Sequence, residues 1–173
     1  MKFSSLCLVL LLLPFYGLSQ FGRNSGPSPE AKKNAEFHEY FFSAIKEYHL
    51  GNFDLARKNL ERCEKVNKEE PCIYHLYGQM AEKDQDVKTW LEQSQKAYEM
   101  EPSNVDYFQS YLGALEAQKQ FEKALEVTED FIQLVQPQAH DYIELKEKEA
   151  YLYLRSNNLS SAIKLYEGLV AEY

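Results

Sequence analysis

The side chains that could carry chemistry in this chain are few and scattered. His38, His49 and His75 are spread along the first half, and no two histidines lie four apart, the spacing that sets a ligand pair on one helical face. A metal centre needs at least three convergent donors at roughly 2 Å, held by a second layer of partners. These therefore read as surface histidines, and no metal is expected. Acid pairs such as Glu61–Glu64 and Glu144–Glu147 have helical spacing, but solvated helix faces carry such pairs routinely. The sequence has no Gly-rich phosphate loop, no Gly-x-Ser-x-Gly, no Cys-x-x-Cys and no His-Glu-x-x-His. No catalytic residue and no cofactor are expected, so the chain does not read as an enzyme. Asn158-Leu159-Ser160 fits a glycosylation acceptor, a pattern too frequent to carry weight.

The compartment in which these side chains act is set by the first residues. Lys2 precedes an apolar run from Leu6 to Phe15, and Gly17 and Ser19 stand at the −3 and −1 positions of a small-x-small cleavage site. The run is too short to span a bilayer, so residues 1–19 read as a secretory signal peptide and 20–28 as a flexible leader. Cys7 lies at the start of the apolar run rather than after it and makes no lipoprotein site. The Leu18-Ser19-Gln20 ending resembles export signals common in Bacteroidetes, which implies a periplasmic or secreted protein with no membrane insertion after cleavage. Cys63 and Cys72 remain after export. In an oxidising compartment they can pair, and a free Cys63 would equally serve as a small buried hydrophobe.

Charge narrows the partners. The 19 basic and 27 acidic residues give a net charge of −8, and loss of Lys2 makes the mature chain more acidic still. Such a surface repels phosphate backbones and anionic lipid, so nucleic acid is not an expected partner.

The elements that position these residues follow from an internal period. Steps of 34 from Tyr40 reach Tyr74, Phe108 and Tyr142; from Ala44, Gly78 and Leu112; from Phe53, Val87 and Phe121; from Cys63, Ala97 and Phe131. Each series keeps its apolar, small or aromatic character. A fourth unit is slipped by four residues, so that Ala124 is matched by Ala162. Four residues are about one helical turn, and a longer first helix there would keep its inner face inward. Ser28-Pro29-Glu30 reads as a helix start, and Pro71, Pro102 and Pro137 fall at the unit boundaries. The spacing predicts eight antiparallel helices at 29–50, 53–67, 71–84, 87–101, 104–118, 121–136, 138–156 and 159–172.

This grammar resembles the tetratricopeptide repeat (TPR). Unit one carries it through Tyr40, Ala44, Gly51, Phe53, Ala56 and Leu60, and unit two through Tyr74, Gly78, Ala97 and Pro102. Unit three carries it through Phe108, Phe121 and Ala124, and unit four through Ala150, Tyr153, Leu159, Ala162 and Tyr166. The resemblance implies an all-α fold, a right-handed α-solenoid of about four helix-turn-helix units over 29–173 (about 37–70, 71–104, 105–138 and 139–173). It implies a protein or peptide partner held in a concave groove lined by first helices. By register the groove would take His38, Phe41, Phe42, Ile45, Tyr48 and His49 from unit one, with Phe41, Ile45 and Tyr48 equally readable as core. Unit two would give His75, Leu76, Gln79 and Lys83; unit three Asp106, Gln109 and Ser110; unit four Glu144, Glu147, Lys148, Tyr151 and Arg155. The family's clamp for chaperone tails needs Lys and Asn where this chain has Phe41 and Ile45, so that partner class is not expected. A carbohydrate or small-ligand module, with Tyr48, His75 and Tyr151 as stacking and hydrogen-bonding groups, is the alternative.

Three departures from the repeat stand out. Trp90 takes the place of the Ala that lets two helices approach, and would push them apart or force a local register shift. Leu112-Gly113 sits one residue off the usual Leu-Gly, and Glu149 replaces a Leu. At the C-terminal end no solvating helix follows, so Leu165 and Leu169 would be partly uncovered. That implies either a longer protein, of which this is the N-terminal part, or an end that self-associates.

Overall fold

The computed structural model describes residues 26–135 and 139–172; residues 1–19, read above as a signal peptide, and most of the segment read as a leader lie outside them. Eight helices follow one another: α1 (Pro29–His49), α2 (Phe53–Val66), α3 (Pro71–Lys83), α4 (Val87–Met100), α5 (Val105–Ala117), α6 (Phe121–Val135), α7 (Ala139–Arg155) and α8 (Leu159–Glu172). Each expected span matches to within a residue, and there is no strand among the described residues. Ser28 caps α1, its hydroxyl accepting from the Ala31 amide at 3.1 Å. Asp86 and Asn104 do the same for α4 and α5, each satisfying amides that a helix start leaves free.

The helices pair as four hairpins, and the turn inside each is built alike. Its central residue has positive φ: Gly51 at 77°, Gln85 at 59°, Lys119 at 58° and Asn157 at 62°. The first three are 34 residues apart and the fourth 38, so the backbone itself records both the period and its slip. The four extra residues are in α7, which has 17 residues against 13 in α3 and α5. They add the helical turn that the slipped register requires.

Burial keeps the same stride. Ala44, Gly78 and Leu112 are buried, as are Cys63, Ala97 and Phe131. Leu60, Ser94 and Thr128 form a third buried series, and the two hydroxyls are satisfied within their own helices. Ser94 donates to the Leu91 carbonyl at 3.3 Å and Thr128 to the Ala124 carbonyl at 2.8 Å. One core cluster joins α1 to α4 around Leu60, Ile73 and Met80, with Tyr107 reaching in from α5. A second joins α5 to α7, where the Phe108 and Phe131 rings stack 3.9 Å apart. Tyr98 packs against both. Neither hairpin could bury its apolar face alone, and the stack covers each with its neighbour.

Trp90 does not separate its helices. α3 and α4 make the most extensive helix contact in the structure, because Gly78 on α3 leaves the Cδ1 edge of the indole room in the seam while its six-membered ring extends toward α5. There Gly113 leaves room for its six-membered ring, and Nε1 donates to Ser110 Oγ at 3.2 Å. Glu149, in a leucine's place, is buried but paired with the Lys146 ammonium at 2.6 Å. On α8, Leu165 and Leu169 are half-buried, and it is Leu159, Ile163, Tyr166 and Val170 that stand exposed.

Candidate functional site

Among the described residues, the backbones of the first helices approach their successors, α1 to α3 and α3 to α5, whereas those of the second helices do not come as close to one another. The stack therefore bends with first helices on its inner side. Between α5 and α7 no such approach occurs, and an open cleft of about 600 Å³ lies there. Its floor is Phe108, Leu112, Leu145 and Tyr151; its rim is Gln109, Glu116, Glu144, Glu147 and Lys148. A second cleft of about 440 Å³ runs between α3 and α5, lined by His75, Gln79, Glu82, Trp90, Asp106 and Ser110. The two adjoin through Gln109 and Gly113, which belong to both. Together they make one trough across three first helices.

The polar groups of the trough divide into spent and available. Lys148 is ion-paired with Glu116 and lies 5.2 Å over the Tyr151 ring. Arg155, outside the cleft lining, donates to the Tyr151 hydroxyl at 2.6 Å with its guanidinium 4.4 Å over Phe121. Glu82, Asp106, Glu144 and Glu147 have no ion-pair partner among the described residues. In the smaller cleft the Gln79 side-chain amide lies 3.1 Å from His75 Nε2, and the other ring nitrogen is Nδ1. That atom is buried without a hydrogen-bond partner. Burial pushes the His75 pKa below its ordinary value, outweighing the opposing pull of the Asp106 carboxylate. The imidazole packs 5.0 Å from the Tyr107 ring.

Of the residues expected in a groove, His75, Gln79, Asp106, Gln109, Ser110, Glu144, Glu147, Lys148 and Tyr151 line these clefts, and Arg155 lines neither but donates to Tyr151. Leu76 is buried in the first core cluster. The α1 set lines neither cleft. Phe41, Ile45 and Tyr48 are half-buried against that same core, with the Lys83 ammonium 5.5 Å over the Tyr48 ring. His38 and Phe42 are exposed, their rings 6.0 Å apart, and His49 is exposed beside Tyr48. His75 and Tyr151 line different clefts and Tyr48 neither, so the three do not converge on one small ligand. Glu82, Trp90, Gly113, Glu116 and Leu145 line the trough without having been expected there. Gly113, displaced by one residue from the usual glycine, was the available signal.

Cys63 is fully buried, its Sγ 3.8 Å from the Phe37 carbonyl oxygen, and Cys72 is half-buried; both are free thiols. Among the described residues no group of three or more His, Cys, Asp or Glu could hold a metal, and no helix is long and apolar enough to cross a membrane.

No protein-family model matches the sequence, and no curated protein matches it. Solved structures do resemble the fold. A crystal structure of MamA protein superposes with a TM-score of 0.62 at 14% identity, over 79% of this chain and 73% of that one. A second MamA crystal structure gives 0.62 at 13% identity, over 83% and 91%. Both are tetratricopeptide-type proteins. The fold is tetratricopeptide-like. PilF of Pseudomonas aeruginosa, of the same type, gives 0.60 at 16% identity over 79% of this chain and 61% of that chain, so this chain spans less than two thirds of it. At these identities the likeness concerns architecture alone.

Proposed function

We propose that the protein is an exported interaction scaffold, with no catalytic step of its own, that holds a protein segment across the inner faces of α3, α5 and α7. The observation that carries this reading is the joining of two clefts through Gln109 and Gly113 into one trough with an apolar floor. A trough of that form suits an elongated occupant whose apolar side chains drop to Leu112 and Leu145. Its four unpaired carboxylates favour basic side chains on the same segment, because complementary charge speeds encounter and fixes register. The sequence of residues 1–19 supports a periplasmic or secreted location.

A photo-crosslinking amino acid at Gln109, compared with one at Lys88 on the outer face of α4, tests the groove. Cross-links to a protein species from Gln109 and not from Lys88 are expected, weakened by Glu144→Lys/Glu147→Lys. Equal capture from both positions would sink the reading. Export is tested separately, by fractionation and by N-terminal sequencing that should begin at Gln20.

A further inference from the structure

We propose that the cleft between α1 and α2 is a second docking site, separate from the trough, that takes an acidic segment of a partner protein. The cleft measures about 400 Å³ and is lined by Lys33, Glu36 and Tyr40 of α1 and by Arg62, Lys65 and Val66 of α2. None of these residues lines the trough. Three cations thus border one space on a chain whose net charge is −8.

Helical spacing explains the convergence. Lys33, Glu36 and Tyr40 follow one another at three and four along α1, and Arg62 and Lys65 are three apart on α2. The acids next to them in sequence, Glu61 and Glu64, lie on the α3 side of α2, where they add to the burial that raises the Tyr77 pKa.

The three cations are unspent. Elsewhere on this surface six basic side chains have a carboxylate within reach, but Lys33, Arg62 and Lys65 have none among the described residues. Residues 1–25, which precede α1, contain no Asp or Glu. Glu36, the one carboxylate in the lining, accepts the Tyr40 hydroxyl at 3.1 Å. Arg62 donates only a long bond of 3.5 Å to Asn59 Oδ1 among the described residues, and its guanidinium lies 5.4 Å over the Tyr40 ring.

Charge and size together select the occupant. Unpaired cations gathered in a cleft attract an anion, and a guanidinium fork matches a carboxylate with two bonds. Half-buried Tyr40 and Val66 add apolar surface for the methylenes of Glu side chains, which inorganic phosphate lacks. A nucleic acid or an anionic membrane would extend past the cleft over a surface of net negative charge and be repelled. A short run of acidic residues fits within the reach of the cations.

Titration of the isotope-labelled chain with the peptide acetyl-Glu-Leu-Glu-Glu-amide, followed by NMR at low salt, tests this. Amide shifts at Lys33, Tyr40, Arg62 and Lys65 are expected, with an affinity that falls as salt rises. Arg62→Glu/Lys65→Glu should weaken binding about tenfold or more with unchanged helical circular dichroism, since both side chains are exposed. Glu144→Lys/Glu147→Lys, in the trough, should leave it unchanged. No shift in the cleft up to millimolar peptide overturns the proposal, as does binding indifferent to the charge reversal. Inorganic phosphate bound there as tightly as the peptide overturns the acidic segment as occupant.

Discussion

A β-carbon placed on Gly113 would stand 3.1 Å from Cζ2 and 3.2 Å from Cη2 of Trp90. That is closer than nearly all real contacts, and the indole cannot swing clear without giving up its bond to Ser110. Gly113 lies inside α5, where Ala would otherwise be favoured by about 1 kcal/mol. Overpacking against a held ring costs about 1–3 kcal/mol. Gly113→Ala is therefore expected to be neutral to destabilising in the native chain and stabilising in a Trp90→Ala background. Chemical denaturation of the four proteins should give a coupling of about 1 kcal/mol or more; additive effects would show that the contact does not exist.

The hairpin turns give a prediction of opposite sign. Gln85 and Lys119 hold positive φ where Gly51 holds it in unit one, and a side chain in that left-handed region costs about 1–2 kcal/mol. Lys119→Gly and Gln85→Gly should each stabilise by about 0.5–1 kcal/mol, because the gain is reduced by the greater freedom of glycine when unfolded. Gly51→Ala should destabilise although nothing lies within 4 Å of its β-position. Thermal midpoints of the three variants check this, and a rise for Gly51→Ala would refute it.

The period was legible because aromatic and small residues recur wherever two helices must approach. The 34-residue stride of Tyr40, Tyr74 and Phe108 located the helices to within a residue, and the slip at Ala162 located the extra turn in α7. Polar core residues were not legible. Ser94 and Thr128 drew no reading from the sequence, yet each hides its hydroxyl on a carbonyl of its own helix and fills the place of Leu60. The direction of Trp90 was not legible either, since the space it uses belongs to α5, 23 residues on. In the trough, helical register found His75, Gln109 and Tyr151, which project from first helices. For Phe41, Ile45 and Tyr48 it left groove and core open, because nothing in a wheel projection distinguishes an inner face from a core face; the structure packs them against the core.

His75 should make stability depend on pH. Its folded pKa lies below the ordinary 6.5 because burial penalises the imidazolium. As pH falls through about 6.5 the unfolded chain binds the proton first, so stability drops until the folded His75 is protonated too. His75→Gln removes this contribution and should flatten the thermal midpoint between about pH 7 and pH 5. Other groups titrate in both proteins, so the difference between the two curves is the measurement. Parallel curves would mean that His75 is as well solvated folded as unfolded.

Thiol reactivity should report on the seam between the first two units. Burial pushes the pKa of Cys63 up to about 12 and that of Cys72 to about 11, and the thiolate is the reactive form. Cys63 is also fully buried, so access and ionisation both oppose attack. With a disulfide reagent near pH 8, Cys72 should react far more slowly than a free thiol. Cys63 should not react until α1 and α2 separate, its rate following the opening of the first hairpin. In denaturant Cys63 and Cys72 should both react at once. Phe37→Ala, which uncovers the carbonyl neighbour of Cys63 Sγ, should speed Cys63 without affecting Cys72. Two fast thiols in the native protein would mean that the first hairpin is open, and no thiol in denaturant would mean that the two sulfurs are joined.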